Sequence, residues 1–216
     1  RLERRPAGAA ATVAAQPAAA ALPDYFAFES RMRGSTELVR ERQRPYVDAL
    51  RDDAPVLDVG CGRGELLALL RDAGVEATGV DGDADMVAFA RGEGLDVTQA
   101  DLLAHLESLA DESLGAVFSG QVVEHLPPPV LVRFLELAHA KLRDGGVLIA
   151  ETINPLSPLA MRNYWSDLTH AQPLVPERAQ SRERSGAHAV RPRMPEAGDG
   201  AAGGEEGRSG HGGAPG

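Results

Sequence analysis

Short apolar runs alternate with amphipathic stretches along the middle of this 216-residue chain. Runs with the length of buried strands occur at 56–59, 77–80, 96–98, 116–119 and 147–150. Stretches with helical spacing of apolar residues follow them at about 64–73, 84–91 and 128–143. This alternation is typical of βαβ units. It predicts an α/β fold with a Rossmann-like, doubly wound, mostly parallel sheet in three α/β/α layers.

The two ends of the chain differ from this middle part. Residues 1–23 are rich in Ala and Pro and predict a disordered linker, so we place the ordered domain at 24–177. A helix is expected from Ser35 or Thr36, continuing or restarting at Pro45. Residues 178–216 contain almost no large apolar side chains and predict a disordered tail. The last strands of the fold are therefore expected to be missing, and a shifted reading frame after about Glu177 is our hypothesis for that change.

Composition excludes several classes of partner. The formal net charge is −10, which disfavours nucleic acid, because phosphate binding needs a basic face. The alanine-rich segment near the start is too weakly apolar for membrane insertion. Cys61 is the only cysteine, which rules out an intrachain disulfide, and His105, His139, His188 and His211 have no metal-ligand spacing among themselves. We therefore predict a cytoplasmic protein without a metal site.

The segment PVLDVGCGRGELLALLRDAG, residues 55–74, carries the strongest chemical signal. An apolar strand enters a loop with Gly60, Gly62 and Gly64, and a helix follows, as in nucleotide-binding sheets. The sixth position of the dinucleotide fingerprint needs Gly or Ala, but here it is Glu65. This disfavours a nicotinamide dehydrogenase. An acidic residue two positions before the loop, Asp58, is similar instead to motif I of class I S-adenosylmethionine methyltransferases.

Acidic residues also follow the second and third predicted strands. The carboxylate of Asp81 can accept hydrogen bonds from the two hydroxyls of a ribose, and that of Asp101 can accept from an adenine amino group. The backbone N–H of Leu102 can meet a ring nitrogen. Because the carboxyl ends of parallel strands share one sheet edge, these groups are expected beside the glycine loop.

Five segments occur in the order and spacing of class I methyltransferase motifs: VLDVGCGRGELL, GVDGDADMV, TQADLL, AVFSGQVVEHL and KLRDGGVLIAETINP. The flanking YFAFESRMRGSTELVRERQRPYV and NYWSDLTHAQPLVPE resemble the methyltransferase domain of O-antigen and other cell-surface polysaccharide enzymes, including chain-capping ones. The resemblance implies S-adenosyl-L-methionine as cofactor. It also implies contributions to its binding from Gly60, Gly62, Gly64, Asp81, Asp101, Gln121 and Val122. Arg33 is a candidate partner for the methionine carboxylate.

Glu124 and His125 follow the fourth predicted strand and are expected to face the reactive methyl group. His125 is a candidate general base for a hydroxyl acceptor, or alternatively a structural histidine before the proline-rich turn. His170 and Tyr164 are candidates for the acceptor pocket, with the same alternative. Glu124, His125 and His170 are therefore our candidate catalytic residues.

The sequence thus predicts an enzyme that methylates an oxygen acceptor, either a glycan hydroxyl or a terminal phosphate in polysaccharide biosynthesis. A neighbouring glycosyltransferase or kinase, as a domain or a separate protein, is a possible partner. Two alternatives stay open. One is a small-molecule O-methyltransferase of the ubiquinone-biosynthesis type, which shares the EHL-like segment, and the other is an inactive cofactor-binding fragment.

Overall fold

A computed structural model describes residues 33–167, 169–174 and 188–189 of the chain. Its strands are β1 (Val56–Val59), β2 (Ala77–Asp81), β3 (Val97–Gln99), β4 (Leu114–Gly120), β5 (Leu142–Glu151) and β6 (His188–Ala189). Its helices are α1 (Thr36–Leu50), α2 (Glu65–Asp72), α3 (Ala84–Gly92), α4 (Leu102–Ser108), α5 (Pro128–Lys141) and α6 (Pro158–Ser166), with a 3-10 turn at Val123–His125. The predicted α/β architecture is confirmed.

The strands form one sheet in the order β3-β2-β1-β4-β5-β6, and every neighbouring pair is parallel. The chain moves outward in one direction from β1 to β3, and then crosses back so that β4 lies on the other side of β1. In such a sheet, the loops after β1 and β4 diverge and leave a crevice at the carboxyl ends of the strands. The crevice is therefore set by topology, before any side chain is considered.

Side chains of the two central strands alternate between two apolar layers. Val56 and Phe118 pack on one face of the sheet in a cluster that includes residues of α1 and α2. Leu57 and Val117 pack on the other face, in a cluster that includes residues of α4 and α5. Burial on both faces explains why these strands are continuous apolar runs. The result is the predicted three-layer arrangement, which holds the loops at the sheet edge.

Several boundaries differ from the predictions. The helix expected at 128–143 ends at Lys141, and β5 begins at Leu142 rather than at Val147. A register shift between Leu114 and Ala116 lets the start of β5 pair with the start of β4. Gly145 has a φ of 76°, so the predicted glycine turn is present, but as an irregularity within the strand. Helices α4 and α6 were not predicted.

The start of the chain is as expected where the structure describes it. The Ser35 hydroxyl caps α1 by accepting a hydrogen bond from the backbone N–H of Leu38, and Pro45 lies inside that helix. The predicted linker at 1–23 lies outside the described residues. None of the described helices combines the length and the hydropathy that a membrane span requires.

Only His188 and Ala189 of the tail are described, as the two residues of β6 beside Val147 and Leu148 of β5. The described residues include no antiparallel strand. The remainder of 178–216 lies outside the described residues, so the disordered tail and the shifted reading frame stay predictions.

Candidate active site

The glycine loop after β1 forms one wall of the crevice. Gly60 has a φ of 70°, and a Cβ atom there would overlap the Cγ2 atom of Val122 after β4. Gly64 has a φ of 79° at the N-cap of α2, where a Cβ would overlap Leu95. A side chain at either position would therefore meet both backbone strain and a steric clash. The spacing of these glycines reflects the close approach of two loops and a helix.

Asp81 ends β2 beside this loop. Its Oδ2 atom accepts a hydrogen bond of 2.8 Å from the backbone N–H of Gly62, and its Oδ1 atom accepts one of 2.9 Å from that of Asp83. These two bonds fix the plane of the carboxylate. A carboxylate oxygen can accept more than one hydrogen bond, so this orientation is compatible with accepting from the two hydroxyls of a ribose. The structure places Asp81 as the sequence predicted.

Asp58 lies beneath the loop and is almost fully buried. Burial raises the pKa of Asp58 to about 7; the Arg33 guanidinium opposes this rise, and the carboxylates of Asp81 and Glu65 add to it. Arg33 itself donates a hydrogen bond of 3.1 Å from Nη2 to the backbone oxygen of Gly120. A cation and a buried acid therefore lie close to the predicted methionine end of the cofactor site.

A cavity of about 230 Å³ opens above these residues. Most of the predicted cofactor-binding residues line it: Arg33, Gly60, Gly62, Asp81, Asp101, Leu102, Gln121 and Val122. Asp58 and Gly64 are not among its lining residues: Asp58 is buried below the loop, and Gly64 is the N-cap of α2. His125 also lines the cavity. The cavity thus joins the predicted cofactor site to one predicted catalytic residue.

Asp101 has a structural role that the sequence analysis missed. It is the N-cap of α4, and its Oδ1 atom accepts hydrogen bonds of 3.0 Å from the backbone N–H groups of Leu103 and Ala104. The pattern ADLLAHLES, an Asp followed by apolar residues at helical spacing, could have revealed this helix. Asp101 therefore both caps α4 and lines the cavity. Because Oδ1 is used for the cap, the predicted contact with adenine would have to be made mainly by Oδ2.

Gln121 occupies a sharp turn after β4. Its φ is 58°, an unusual value for a residue other than glycine, and its backbone N–H donates to the carbonyl of Glu151 at 2.8 Å. Its side-chain amide donates to Oε1 of Glu151 at 3.1 Å. Non-glycine residues in this region persist where surrounding contacts enforce them, often at functional sites. Glu151, at the end of β5, is the residue that enforces this turn, and the sequence analysis did not find it.

Glu124 lies in the 3-10 turn and is fully buried. Neither of its carboxylate oxygens has a hydrogen-bond partner of normal geometry among the described residues. Burial raises the pKa of Glu124, although its backbone, the nearby Thr152 hydroxyl and the charges of His170 and Arg33 oppose the rise. An acid in this setting can hold a proton near the reaction, or stabilise a positive charge beside it.

The two predicted catalytic histidines are neighbours. Their ring centroids are 4.6 Å apart. One ring nitrogen of each histidine and a carboxylate oxygen of Glu124 lie within 4.8 Å of one another. Two histidines and a carboxylate at this distance can share a proton or a cation. The histidine spacing in the sequence did not indicate such a cluster, because it forms between residues 45 positions apart.

Their environments differ. His170 donates from Nδ1 to the carbonyl of Tyr164 at 2.7 Å, since a carbonyl can only accept, and its ring stacks on that of Tyr164 at a centroid distance of 4.4 Å. His170 is therefore held on both sides, and it is not among the residues that line the cavity. His125 is bonded at Nδ1 to Thr169 at 2.9 Å and faces the cavity. Of the two, His125 has the position of a base.

In this parallel sheet the strand order reverses between β1 and β4, and a glycine loop and a carboxylate at the end of β2 lie beside that point. These features define a class of α/β protein that binds a nucleoside cofactor. A family model described as a methyltransferase domain matches residues 57–150. A solved S-adenosylmethionine-dependent methyltransferase from Archaeoglobus fulgidus is 40% identical to this chain and superposes on it with a TM-score of 0.68. The matched region is 71% of this chain and 69% of the Archaeoglobus chain. The chain belongs to the S-adenosylmethionine-dependent methyltransferase family.

Two other relatives are more distant. A ubiquinone biosynthesis O-methyltransferase from Xanthomonas oryzae is 35% identical over 116 residues, which are 50% of this chain and 48% of the relative. A sugar N-methyltransferase from a Streptoalloteichus species is 27% identical over 69% of this chain and 62% of its own, with a TM-score of 0.50. The chain spans about half the length of the curated relatives it matches.

Proposed function

We propose that this domain transfers the methyl group of S-adenosylmethionine to a hydroxyl oxygen of a small acceptor. The observation that carries the proposal is the shared cavity, which both Asp81 and His125 line. A base is useful only when the acceptor must lose a proton, as a hydroxyl must. A phosphate acceptor carries its negative charge already, so the presence of His125 favours a hydroxyl.

The residues present fit the cofactor. Asp81 is oriented for the ribose, Asp101 and Leu102 line the expected adenine end, and Arg33 and Asp58 lie near the expected methionine end. Bound S-adenosylmethionine would supply a methyl group that its sulfonium already activates. The protein then has to align donor and acceptor, exclude water and accept one proton. His125 would accept that proton as the acceptor oxygen forms its bond to the methyl carbon.

The acceptor class that we favour is a small molecule with a ring hydroxyl. The curated relatives are O-methyltransferases of ubiquinone biosynthesis, and they support this class more than a polysaccharide. The match covers about half of each relative, so the substrate of this chain is our proposal.

A glycan hydroxyl is the second candidate. It is favoured by the relative that is a sugar N-methyltransferase and by the segments on either side of the methyltransferase motifs that resemble cell-surface polysaccharide enzymes. A neighbouring glycosyltransferase or kinase would suit this second candidate. A cytoplasmic location would suit both, since the cofactor is an intracellular metabolite.

Methyl transfer to a panel of acceptors tests the proposal. The protein would be incubated with S-adenosylmethionine carrying a radioactive methyl group and with a dihydroxybenzoate, a neutral oligosaccharide or a sugar phosphate. We expect label in the dihydroxybenzoate; label in the oligosaccharide alone would favour the second candidate, and label in the sugar phosphate alone would remove the need for a base. Calorimetry with S-adenosylhomocysteine and with NADH checks the cofactor. Binding of S-adenosylhomocysteine without any transfer would instead support an inactive cofactor-binding fragment.

A further inference from the structure

The segment after α6 is fastened to the 3-10 turn that carries Glu124 and His125. The backbone N–H of Ala171 donates to the carbonyl of Glu124 at 2.8 Å, and that of Gln172 donates to the same oxygen at 3.3 Å. Two backbone hydrogen bonds to one carbonyl hold the loop against the turn without help from side chains. The side chains of this loop therefore have a defined position relative to His125.

Within this loop, Asp167 and Thr169 form a compact unit. Oδ1 of Asp167 accepts a hydrogen bond of 2.8 Å from the backbone N–H of Thr169 and one of 2.5 Å from its hydroxyl. Burial of Asp167 favours its neutral form, but these hydrogen bonds and the nearby histidines outweigh it and lower the pKa of Asp167. An ionised carboxylate can only accept, so the single hydroxyl proton of Thr169 points to Asp167.

The direction of that proton decides the state of His125. Because Thr169 gives its proton to Asp167, its oxygen can only accept from the ring nitrogen 2.9 Å away. Nδ1 of His125 must then carry a hydrogen, and in a neutral imidazole the other nitrogen, Nε2, carries none. The hydrogen-bond chain runs from His125 through Thr169 to Asp167.

We propose that Thr169 and Asp167 are positioning residues that hold His125 in the tautomer with an unprotonated Nε2, ready to take the proton of a hydroxyl acceptor. This inference rests on the proposed function for its catalytic consequence. The tautomer itself does not depend on that function: it follows from the hydrogen bonds, with Asp167 ionised and the imidazole neutral. It also explains why a threonine, rather than a purely apolar residue, faces His125.

Several groups surround the histidine. The His125 ring faces the ring of His170 at 4.6 Å, and Glu124 is its neighbour in the turn. Oδ2 of Asp167 is 3.8 Å from Nε2 of His170, whereas Oδ1 of Asp167 bonds Thr169. Asp167 is thus linked to both histidines: Oδ2 lies near His170 directly, and Oδ1 reaches His125 through Thr169. Only the contact through Thr169 reaches a residue that lines the cavity.

The decisive variants are Thr169→Val, which removes the hydroxyl at nearly constant volume, and Thr169→Ser, which keeps it. In the valine variant, we expect kcat to fall roughly 10- to 100-fold, by analogy with the loss seen when a hydrogen bond that orients a metal-ligating histidine is removed. KM for the acceptor and Kd for S-adenosylhomocysteine should change less than about threefold, because Thr169 is not among the residues that line the cavity. The serine variant should recover most of the rate. Thr78→Val, on the exposed side of β2, is the matched control.

Nitrogen-15 NMR of the histidine rings reads the tautomer directly. In the wild type, the His125 signals should correspond to a protonated Nδ1 and a bare Nε2. Thr169→Val should move them toward a mixture of tautomers, and Asp167→Asn should do so too if the valine variant fails to fold. Protonation mainly at Nε2 in the wild type would overturn the proposal. So would an unchanged kcat in Thr169→Val, or an equal loss in the valine and serine variants.

The two readouts separate this proposal from the proposed function. If no acceptor is methylated, the rate measurements are lost, but the ring signals of the wild type and of Thr169→Val still decide the tautomer. A protonated Nδ1 without any transfer would keep the hydrogen-bond chain and remove the catalytic function. An unprotonated Nδ1 in an active enzyme would remove the hydrogen-bond chain and keep the proposed function.

Discussion

The two walls of the cavity are built in different ways. The cofactor wall consists of turns that directly follow β1, β2 and β3, and backbone groups provide many of its contacts, as where the N–H of Gly62 fixes Asp81. The proposed acceptor wall is the turn after β4 that carries His125. Thr169 bonds this histidine from the loop after α6, 44 residues later and outside the cavity lining. The first wall depends on topology and glycine, while the second depends on side chains that meet only in the folded protein.

The largest effect is expected on the acceptor wall. Replacing His125 by Ala should lower kcat for a hydroxyl acceptor by roughly 10²–10⁴, because the proton then has no positioned base. The affinity for S-adenosylhomocysteine should stay nearly unchanged, as measured by calorimetry. His139→Ala, on the exposed face of α5, is the control. If His125→Ala lowers cofactor affinity as strongly as kcat, the two walls are not functionally separate.

The difference between the walls also explains what the sequence could predict. The positions of Gly60, Gly64 and Asp81 at the sheet edge were predicted, because strand ends and glycine spacing are local patterns and parallel strands bring their ends to one edge. The link between His125 and Thr169 could not be predicted, since no local pattern specifies which loop packs on a 3-10 turn. Only the short spacing of Asp167 and Thr169, typical of an Asx turn, gave a local signal.

Helix α4 was not predicted for a different reason. It is only seven residues long, so its signal is confined to an Asp N-cap and the few apolar residues that follow it, and this short signal was overlooked. Asp101 was therefore interpreted as a ligand only. Glu151 was missed because its partner, Gln121, precedes it by 30 residues. In both cases the predicted ligand residue was found, but the contact that positions it was not.

The next largest effect is expected at Asp58, the buried acid below the glycine loop, and it concerns how the stability of the fold depends on pH. Its folded pKa of about 7 lies above the ordinary value of 3.8, so the folded state of Asp58 retains a proton that the unfolded chain releases. The stability that this provides is fully present below pH 3.8 and is lost as the pH rises through about 7. Each pH unit inside this window changes the free energy of unfolding by up to about 1.4 kcal/mol.

Urea unfolding of the cofactor-free protein at pH 5 and pH 8 measures this term. The advantage of Asp58→Asn over the wild type should grow by about 2–3 kcal/mol between these two values, because the amide cannot ionise. Asp85→Asn, which changes an exposed acid in α3, should show no such growth. A constant difference between Asp58→Asn and the wild type would mean that Asp58 ionises as freely in the folded protein as in the unfolded chain.

A smaller effect is expected at the ribose site. Asp81→Ala should weaken binding of S-adenosylhomocysteine by about 1–3 kcal/mol, the usual loss when charged hydrogen bonds are removed. It also leaves the N–H of Gly62 without its acceptor, so part of the loss would come from the loop. Asp81→Asn keeps an acceptor for that N–H and should fall between the wild type and Ala. With saturating S-adenosylmethionine, kcat should recover; persistent loss would mean that the cofactor wall also aligns the acceptor.

The smallest effect separates two roles of one side chain. Asp101 caps α4 through Oδ1, and the sequence assigns it to adenine as well. Serine is also a good N-cap, whereas alanine is not, and an Asp-to-Ala change at a cap costs typically about 1 kcal/mol of stability. Asp101→Ser should therefore keep the stability of the wild type, while Asp101→Ala loses about 1 kcal/mol. If Asp101 also binds adenine, both variants should weaken S-adenosylhomocysteine binding equally, by a few-fold. If only the alanine variant binds more weakly, Asp101 acts on the cofactor solely by holding the first turn of α4, and the adenine contact belongs to the backbone of Leu102.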